Sequence, residues 1–158
     1  LYEKAIALSF EERGGTTGAD RYVKDTEKKP IDYVNPMDGA DIKYSHSAVS
    51  TITIAWEPGA ENFERNLERI ITQKWIAMFP EGCEAWAEQR RTGYPRLFPV
   101  RFNHSKDGCI DTETMIRRLN FPGGLKTENA EQYAALVEAL GGDDNAGTRL
   151  WWDTGINW

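Results

Sequence analysis

Asn62 to Pro99 reads NFERNLERIITQKWIAMFPEGCEAWAEQRRTGYPRLFP, and the fold turns on how this stretch is read. Apolar residues recur at Phe63, Leu67, Ile70, Ile71, Trp75, Met78 and Phe79, intervals of three and four that lay one stripe along an α-helix. The opposite face is charged, and Glu61 precedes Arg65 by one helical turn, the favourable polarity for an ion pair. Pro80 ends this helix, because a residue ahead of proline is pushed away from helical geometry. A second, shorter helix is predicted from about Gly82, centred on Ala85, Trp86 and Ala87. Gly93 supplies its left-handed cap, and Tyr94-Pro95 forbids continuation. The reading is a helical hairpin with Trp75 and Trp86 in the core.

Upstream, Ser50 to Trp56 alternates, with Ile52, Ile54 and Trp56 on one side, and predicts a short, half-buried strand. Pro58-Gly59 turns the chain into the hairpin. A single strand leaves its edges unsatisfied and needs a partner elsewhere. Asp25 to Ser47 has no periodicity and carries Pro30, Pro36 and Gly39, so it is a long loop. Loops of that length are uncommon in compact domains and are often functional. Tyr33 and Tyr44 lie in it, able to stack on a sugar face or simply to pin the loop to the body. Leu1 to Arg13 places Tyr2, Ala5, Ile6, Ser9 and Phe10 along one face of a first helix that ends at Gly14-Gly15, and Ala19 to Lys24 adds a turn or two.

Downstream of Pro99 the pattern is irregular through Lys106, Asp107 and Gly108. Met115 to Phe121 reads as an extended segment, with Arg117 and Arg118 as surface or loop-pinning cations. Asn129 caps a last helix, with Gln132 completing a capping box. Its apolar face is Tyr133, Leu136, Val137 and Leu140, and Gly141-Gly142 ends it. The expected fold is mainly α: an irregular helical arrangement with long loops and minor β.

At 158 residues the chain is one domain or part of one. Hydrophobic content of 40% and charged content of 28% are those of an ordinary globular protein. A net charge of -6, with bases interleaved among acids, argues against nucleic acid, which needs clustered Lys and Arg. Two cysteines, Cys83 and Cys109, do not make a disulfide framework and are expected to be free. No apolar run approaches the roughly 20 residues that span a bilayer.

Catalytic signatures are weak. Glu81, Glu84 and Glu88 share helix faces, but glycoside hydrolysis needs two carboxylates about 5 to 10 Å apart with one pKa raised. Acids on an amphipathic helix are ordinarily its solvated side. GGDDNAGTRLWW, residues 141–152, lacks the alternating oxygen ligands of a calcium loop. His46 and His104 lack zinc-ligand spacing, and no phosphate loop, dinucleotide fingerprint or serine elbow is present. No catalytic residue, metal or cofactor is expected. What remains is an aromatic theme, six Trp, six Tyr and six Phe, and flat rings suit the apolar faces of pyranoses.

ITQKWIAMFPEGCEAWAEQRRTGYPRLFPV, residues 71–100, closely resembles the C-terminal signature of the SusD/RagB family. STITIAW before it, and IRRLNFP and TRLWWD after it, extend the resemblance from Leu1 to about Asp153. The family consists of nutrient-binding lipoproteins of the outer surface of Bacteroidota. The resemblance implies a scaffold of tetratricopeptide-like helix pairs, although no internal 34-residue repeat is visible here. It implies a non-enzymatic protein that captures oligosaccharides at the cell surface for a TonB-dependent, SusC-like transporter in the outer membrane. Family members are usually about three times longer and begin with a lipoprotein signal, whereas Leu1-Tyr2-Glu3-Lys4 reads as the inside of a helix. Residues 1–158 are therefore expected to be the C-terminal portion of one SusD-like unit, a fragment without its lipid anchor. A fragment with a bared helical face should self-associate through its first or central helix.

The resemblance carries no ligand residue onto this chain. Tyr33, Tyr44 and Trp158 are the candidate binding residues from loop position alone, while Trp151 and Trp152 are assigned to packing. The rival readings are a helical protein-interaction scaffold that binds no sugar, and a small glycan-processing enzyme. Binding without turnover separates the first reading from both.

Overall fold

The computed structural model describes residues 1–39, 44–105 and 109–153. It is helical, with isolated bridges in place of strands among the described residues. Two compact units emerge. The first comprises Leu1–Pro36 and Ser45–Phe98, and the second Met37–Tyr44 and Pro99–Ile156.

The first unit contains α1 (Tyr2–Glu12), α2 (Ala19–Tyr22), α3 (Phe63–Ala77) and α4 (Gly82–Thr92). The helix boundaries follow the stop signals. Gly93 takes the left-handed conformation, φ 76°, and its N–H donates to the Gln89 carbonyl. The Thr92 hydroxyl closes the same end by donating to the Glu88 carbonyl at 2.7 Å and accepting from the Tyr94 N–H at 3.2 Å. Arg13, just beyond α1, donates to the carbonyls of Ala77 and Phe79, both at 2.6 Å, and so satisfies the end of α3. Lys74 on α3 pairs with Glu84 and Glu88 on α4 and holds the hairpin across its open side.

The orientation of α3 departs from the amphipathic reading. Ile71 is buried, but Phe63 is 65%, Ile70 41% and Phe79 74% exposed. Asn66, Glu68 and Arg69, from the face expected to be solvated, are buried instead. Trp75 and Trp86 are half-buried rather than core, and the Arg90 guanidinium lies over the Trp86 ring at 3.7 Å.

The reason lies in residues 50–57, where the expected strand does not form. Among the described residues this segment has no partner strand: the Ala55 N–H donates to the Asp25 carbonyl at 2.9 Å, and side chains of α3 bond the backbone at Thr53 and Glu57. Arg69 Nε donates to the Thr53 carbonyl at 2.9 Å, and Nη2 donates to Thr53 Oγ1 at 3.3 Å. The Asn66 amide donates to the Glu57 carbonyl at 2.6 Å and accepts from the Glu57 N–H at 3.2 Å, as a facing strand residue would. Ser50 Oγ donates to Glu68 at 2.6 Å, and the Tyr2 hydroxyl donates to the Ile54 carbonyl at 2.8 Å. Burial and neighbouring Tyr22 push the Tyr2 hydroxyl up to about 12, so it remains a donor.

Glu57 completes the cluster. Its carboxylate accepts from Arg69 Nη2 at 2.5 Å and from Arg65 Nε at 2.8 Å, so Arg65 pairs with Glu57 and not with Glu61. The Arg69 side chain has no exposure, whereas Arg65 is 44% exposed. A carboxylate shared by two guanidiniums neutralises the buried one and orders the rim. Around it the buried apolar set is small: Ile6, Val23, Ile52, Ile71, Ala85 and Tyr94. Each such aliphatic side chain contributes about 1.5–3 kcal/mol when fully buried.

The second unit contains α5 (Leu125–Glu128), which the Pro-Gly-Gly turn had not announced, and α6 (Ala130–Leu140). Asn129 caps α6 by accepting from the Gln132 N–H at 3.1 Å, and Gly141 ends it at φ 75°. Gln132 returns its side chain to the Asn129 amide, a variation on the expected capping box. Residues 115–121 are not extended: Met115 sits at φ 55°, paired across a tight turn with Asp111. Of the two roles expected for Arg117 and Arg118, surface or loop-pinning, the structure shows the second: both are buried and hold loop carboxylates. Arg117 grips Asp153 with two bonds of 2.7 Å, and Arg149 adds a third at 2.7 Å. These contacts tie IRRLNFP to TRLWWD. Trp151, expected to pack, is 92% exposed.

Two outcomes test this account of the first unit. Arg69→Ala leaves the Thr53 carbonyl without its buried donor and Glu57 with Arg65 alone, and should cost about 1–3 kcal/mol in urea unfolding, whereas Arg65→Ala at the rim should cost about 1 kcal/mol or less. Hydrogen bonds from Arg65 and then Arg69 hold the Glu57 carboxyl at about 2, against an ordinary 4.5. Between those values the unfolded chain binds a proton there that the folded chain does not. Its contribution is therefore full above about 4.5 and is lost as pH falls through about 2. Unfolding curves measured from pH 6 to 2 should be flatter for Glu57→Gln, and an unchanged slope would contradict the assignment.

Candidate functional site

Residues 25–47 form the expected loop over their described part, and its two sides are tied together. Tyr33 and His46 exchange backbone hydrogen bonds of 2.8 and 2.9 Å. On either side, Asp32 accepts from the Ala48 N–H at 2.8 Å and Ser45 Oγ accepts from the Asn35 N–H at 2.9 Å. Such side-chain bonds substitute for a longer ladder.

Phe98 is the third member. Its ring stacks on His46, centroids 5.7 Å apart at 27°, and lies 6.1 Å from the Tyr33 ring at 39°. Tyr33 is 45% and Phe98 36% exposed, so the two rings present a shallow aromatic surface backed by the imidazole. His46 Nε2 is buried with no hydrogen-bond partner among the described residues, and the ring backs the aromatic pair. The arrangement offers apolar ring faces of the kind that meet the C–H face of a pyranose.

Tyr44 belongs to the second unit, edge-on to Phe102 with centroids 4.8 Å apart, and its N–H is held by Asp38 at 2.5 Å. Trp158 lies outside the described residues. Phe98 and His46 were not singled out by sequence reasoning. Phe98 sits in the RLFPV end of the hairpin stretch, where proline spacing speaks for chain direction and says nothing about a neighbour fifty residues upstream. His46 was weighed only as a metal ligand.

Glu88 and Asp144 are engaged structurally. Burial pushes the Glu88 carboxyl up, but bonds from Arg91 and Lys74 outweigh it and leave the group below the ordinary carboxylate range. That is the opposite of what a general acid requires. Asp144 is likewise depressed: burial opposes ionisation, and Arg118 at 2.6 Å with the Phe121 N–H at 3.0 Å reverses it. Tyr133 also donates to Asp144, at 3.4 Å. These bonds make the Asp143-Asp144-Asn145 turn a latch between segments. Cys83 and Cys109 are both free.

Residues 1–153 match the model of the SusD-like family, described as SusD and RagB outer membrane lipoproteins. The chain belongs to that family. A SusD homologue from Bacteroides vulgatus is 50% identical, with a TM-score of 0.84 over 99% of this chain and 30% of its own. A chitin-binding SusD homologue from Flavobacterium johnsoniae is 46% identical, with a TM-score of 0.82 over 99% of this chain and 32% of its own. A third, from Bacteroides thetaiotaomicron, is 41% identical, with a TM-score of 0.83 over 96% of this chain and 32% of its own. No curated protein sequence matches. The chain thus spans about a third of the length of these homologues.

Proposed function

We propose that the protein is a non-catalytic oligosaccharide-capture protein of the cell surface, lipid-anchored in its full-length form, which delivers its ligand to a TonB-dependent, SusC-like transporter. The observation that carries this reading is family membership together with the 46% identity to a chitin-binding homologue over almost the whole chain. Glycan capture asks for preformed ring surfaces, because a rigid platform lowers the ordering cost of a flexible chain of sugars. Tyr33 and Phe98, backed by His46, are the surface we assign to sugar contact within the first unit. Tyr44 on Phe102 is the corresponding aromatic surface of the second. Glu88 and Asp144, held in the carboxylate form by basic partners, are not poised as general acids.

The test is a titration with chito-, malto- and xylo-oligosaccharides, followed by tryptophan fluorescence and heat, with the sugars analysed afterwards. Expected are saturable binding, full recovery of intact sugar, and roughly tenfold weaker affinity in Tyr33→Ala, a loss of about 1.4 kcal/mol. Cleavage products would overturn the non-catalytic reading. Binding that survives both Tyr33→Ala and Phe98→Ala would remove the ring surface from the site. A chain that binds no sugar would move capture outside these residues.

A further inference from the structure

Beside the ring pair of Tyr33 and Phe98 runs a short edge of bare backbone. Tyr33 turns both its N–H and its carbonyl to His46, and the Asn35 N–H turns the same way, to Ser45 Oγ. Successive residues of an extended chain alternate, so Val34 between them turns its N–H and carbonyl to the opposite edge. Among the described residues those two groups have no hydrogen-bond partner, and Val34 is 75% exposed. The same alternation puts Ile31, 82% exposed, on the face that carries the Tyr33 ring.

A long edge of this kind accepts an added strand. Here Pro30 and Pro36 bound the segment, and neither has an N–H to offer, so only Asp32 and Val34 turn outward. The edge is too short for a length of peptide and the right size for one small polar group. We propose that it holds the 2-acetamido group of an amino sugar whose ring stacks on Tyr33 and Phe98, an inference that rests on the capture reading above. The Val34 N–H donates to the acetamido oxygen, the adjacent sugar hydroxyl donates to the Val34 carbonyl, and the acetamido methyl packs on Ile31. A hexose with a hydroxyl at the same position supplies no methyl and a weaker, shorter acceptor. An aliphatic side chain left bare beside a sugar-facing ring then has a use, because a pocket reads a ligand through a few placed polar groups set in apolar surface.

Calorimetric titration with tri-N-acetylchitotriose and with cellotriose tests this, since the two differ only in their acetamido groups. The chain is compared with Val34→Pro, which removes the N–H where the backbone is already extended, and with Ile31→Ser, which removes the apolar contact. Thermal melts report that each variant is folded, and Ile31→Ser decides alone where Val34→Pro is not. Expected is a preference of about tenfold or more for the acetylated trimer, falling to about threefold or less in either variant, with cellotriose affinity unchanged. Equal affinity of the chain for the two sugars would overturn the proposal and leave capture standing. A preference that survives in the folded variants would overturn it too. A chain that binds neither trimer would overturn it together with the assignment of capture to these residues.

Discussion

The first unit depends on one guanidinium. Arg69 is fully enclosed, and its donors reach Thr53, Asn66 and Glu57 at once. An enclosed arginine is tolerable only when its charge is matched and its N–H groups are occupied. Glu57 supplies the charge and the segment before it supplies the carbonyl. The consequence is architectural: residues 50–57 remain irregular because side chains of α3 perform the pairing that a neighbouring strand would. Asn66 does the same with the backbone of Glu57.

That commitment buries polar side chains of α3 alongside Ile71. A helix with one polar and one apolar stripe can bury either, provided the polar stripe finds partners. Here Asn66, Glu68 and Arg69 find them, and the apolar stripe is shared: Ile71 stays buried and Leu67 and Trp75 half-buried, while Phe63 and Ile70 are exposed. The second unit uses the same device in another place. Arg117 with Asp153, and Arg118 with Asp144, fasten segments that lack regular structure of their own. In both units buried charge pairs do for loops what ladders do for sheets.

Much of the helical layout is legible in the sequence because its signals are local. Gly93 and Gly141 at left-handed caps, Asn129 with Gln132, and Pro80 after α3 act within one turn of chain. The loop from Asp25 is equally plain. What is not legible depends on distant partners. The stripe of α3 has the right period whichever face turns inward, and only Thr53 and Glu57 decide. Alternation in Ser50 to Trp56 reads as a strand, since nothing local reveals that its partners are an arginine and an asparagine. Arg117 and Arg118 read equally as surface or loop-pinning cations until Asp153 and Asp144 arrive from 36 and 26 residues away. In the same way, the contact of Tyr33 with Phe98 joins two stretches that no short-range pattern connects.

The central claim is that the polar stripe of α3 holds residues 50–57 in place. Amide hydrogen exchange on the chain and on Arg69→Lys tests it most directly, because lysine keeps the charge and loses the planar fork. The account predicts that the Glu57 amide, which donates to the Asn66 side chain held by Arg69, loses protection, while the amides of α4 keep theirs. Protection at residues 50–57 that is unchanged by the substitution would contradict it.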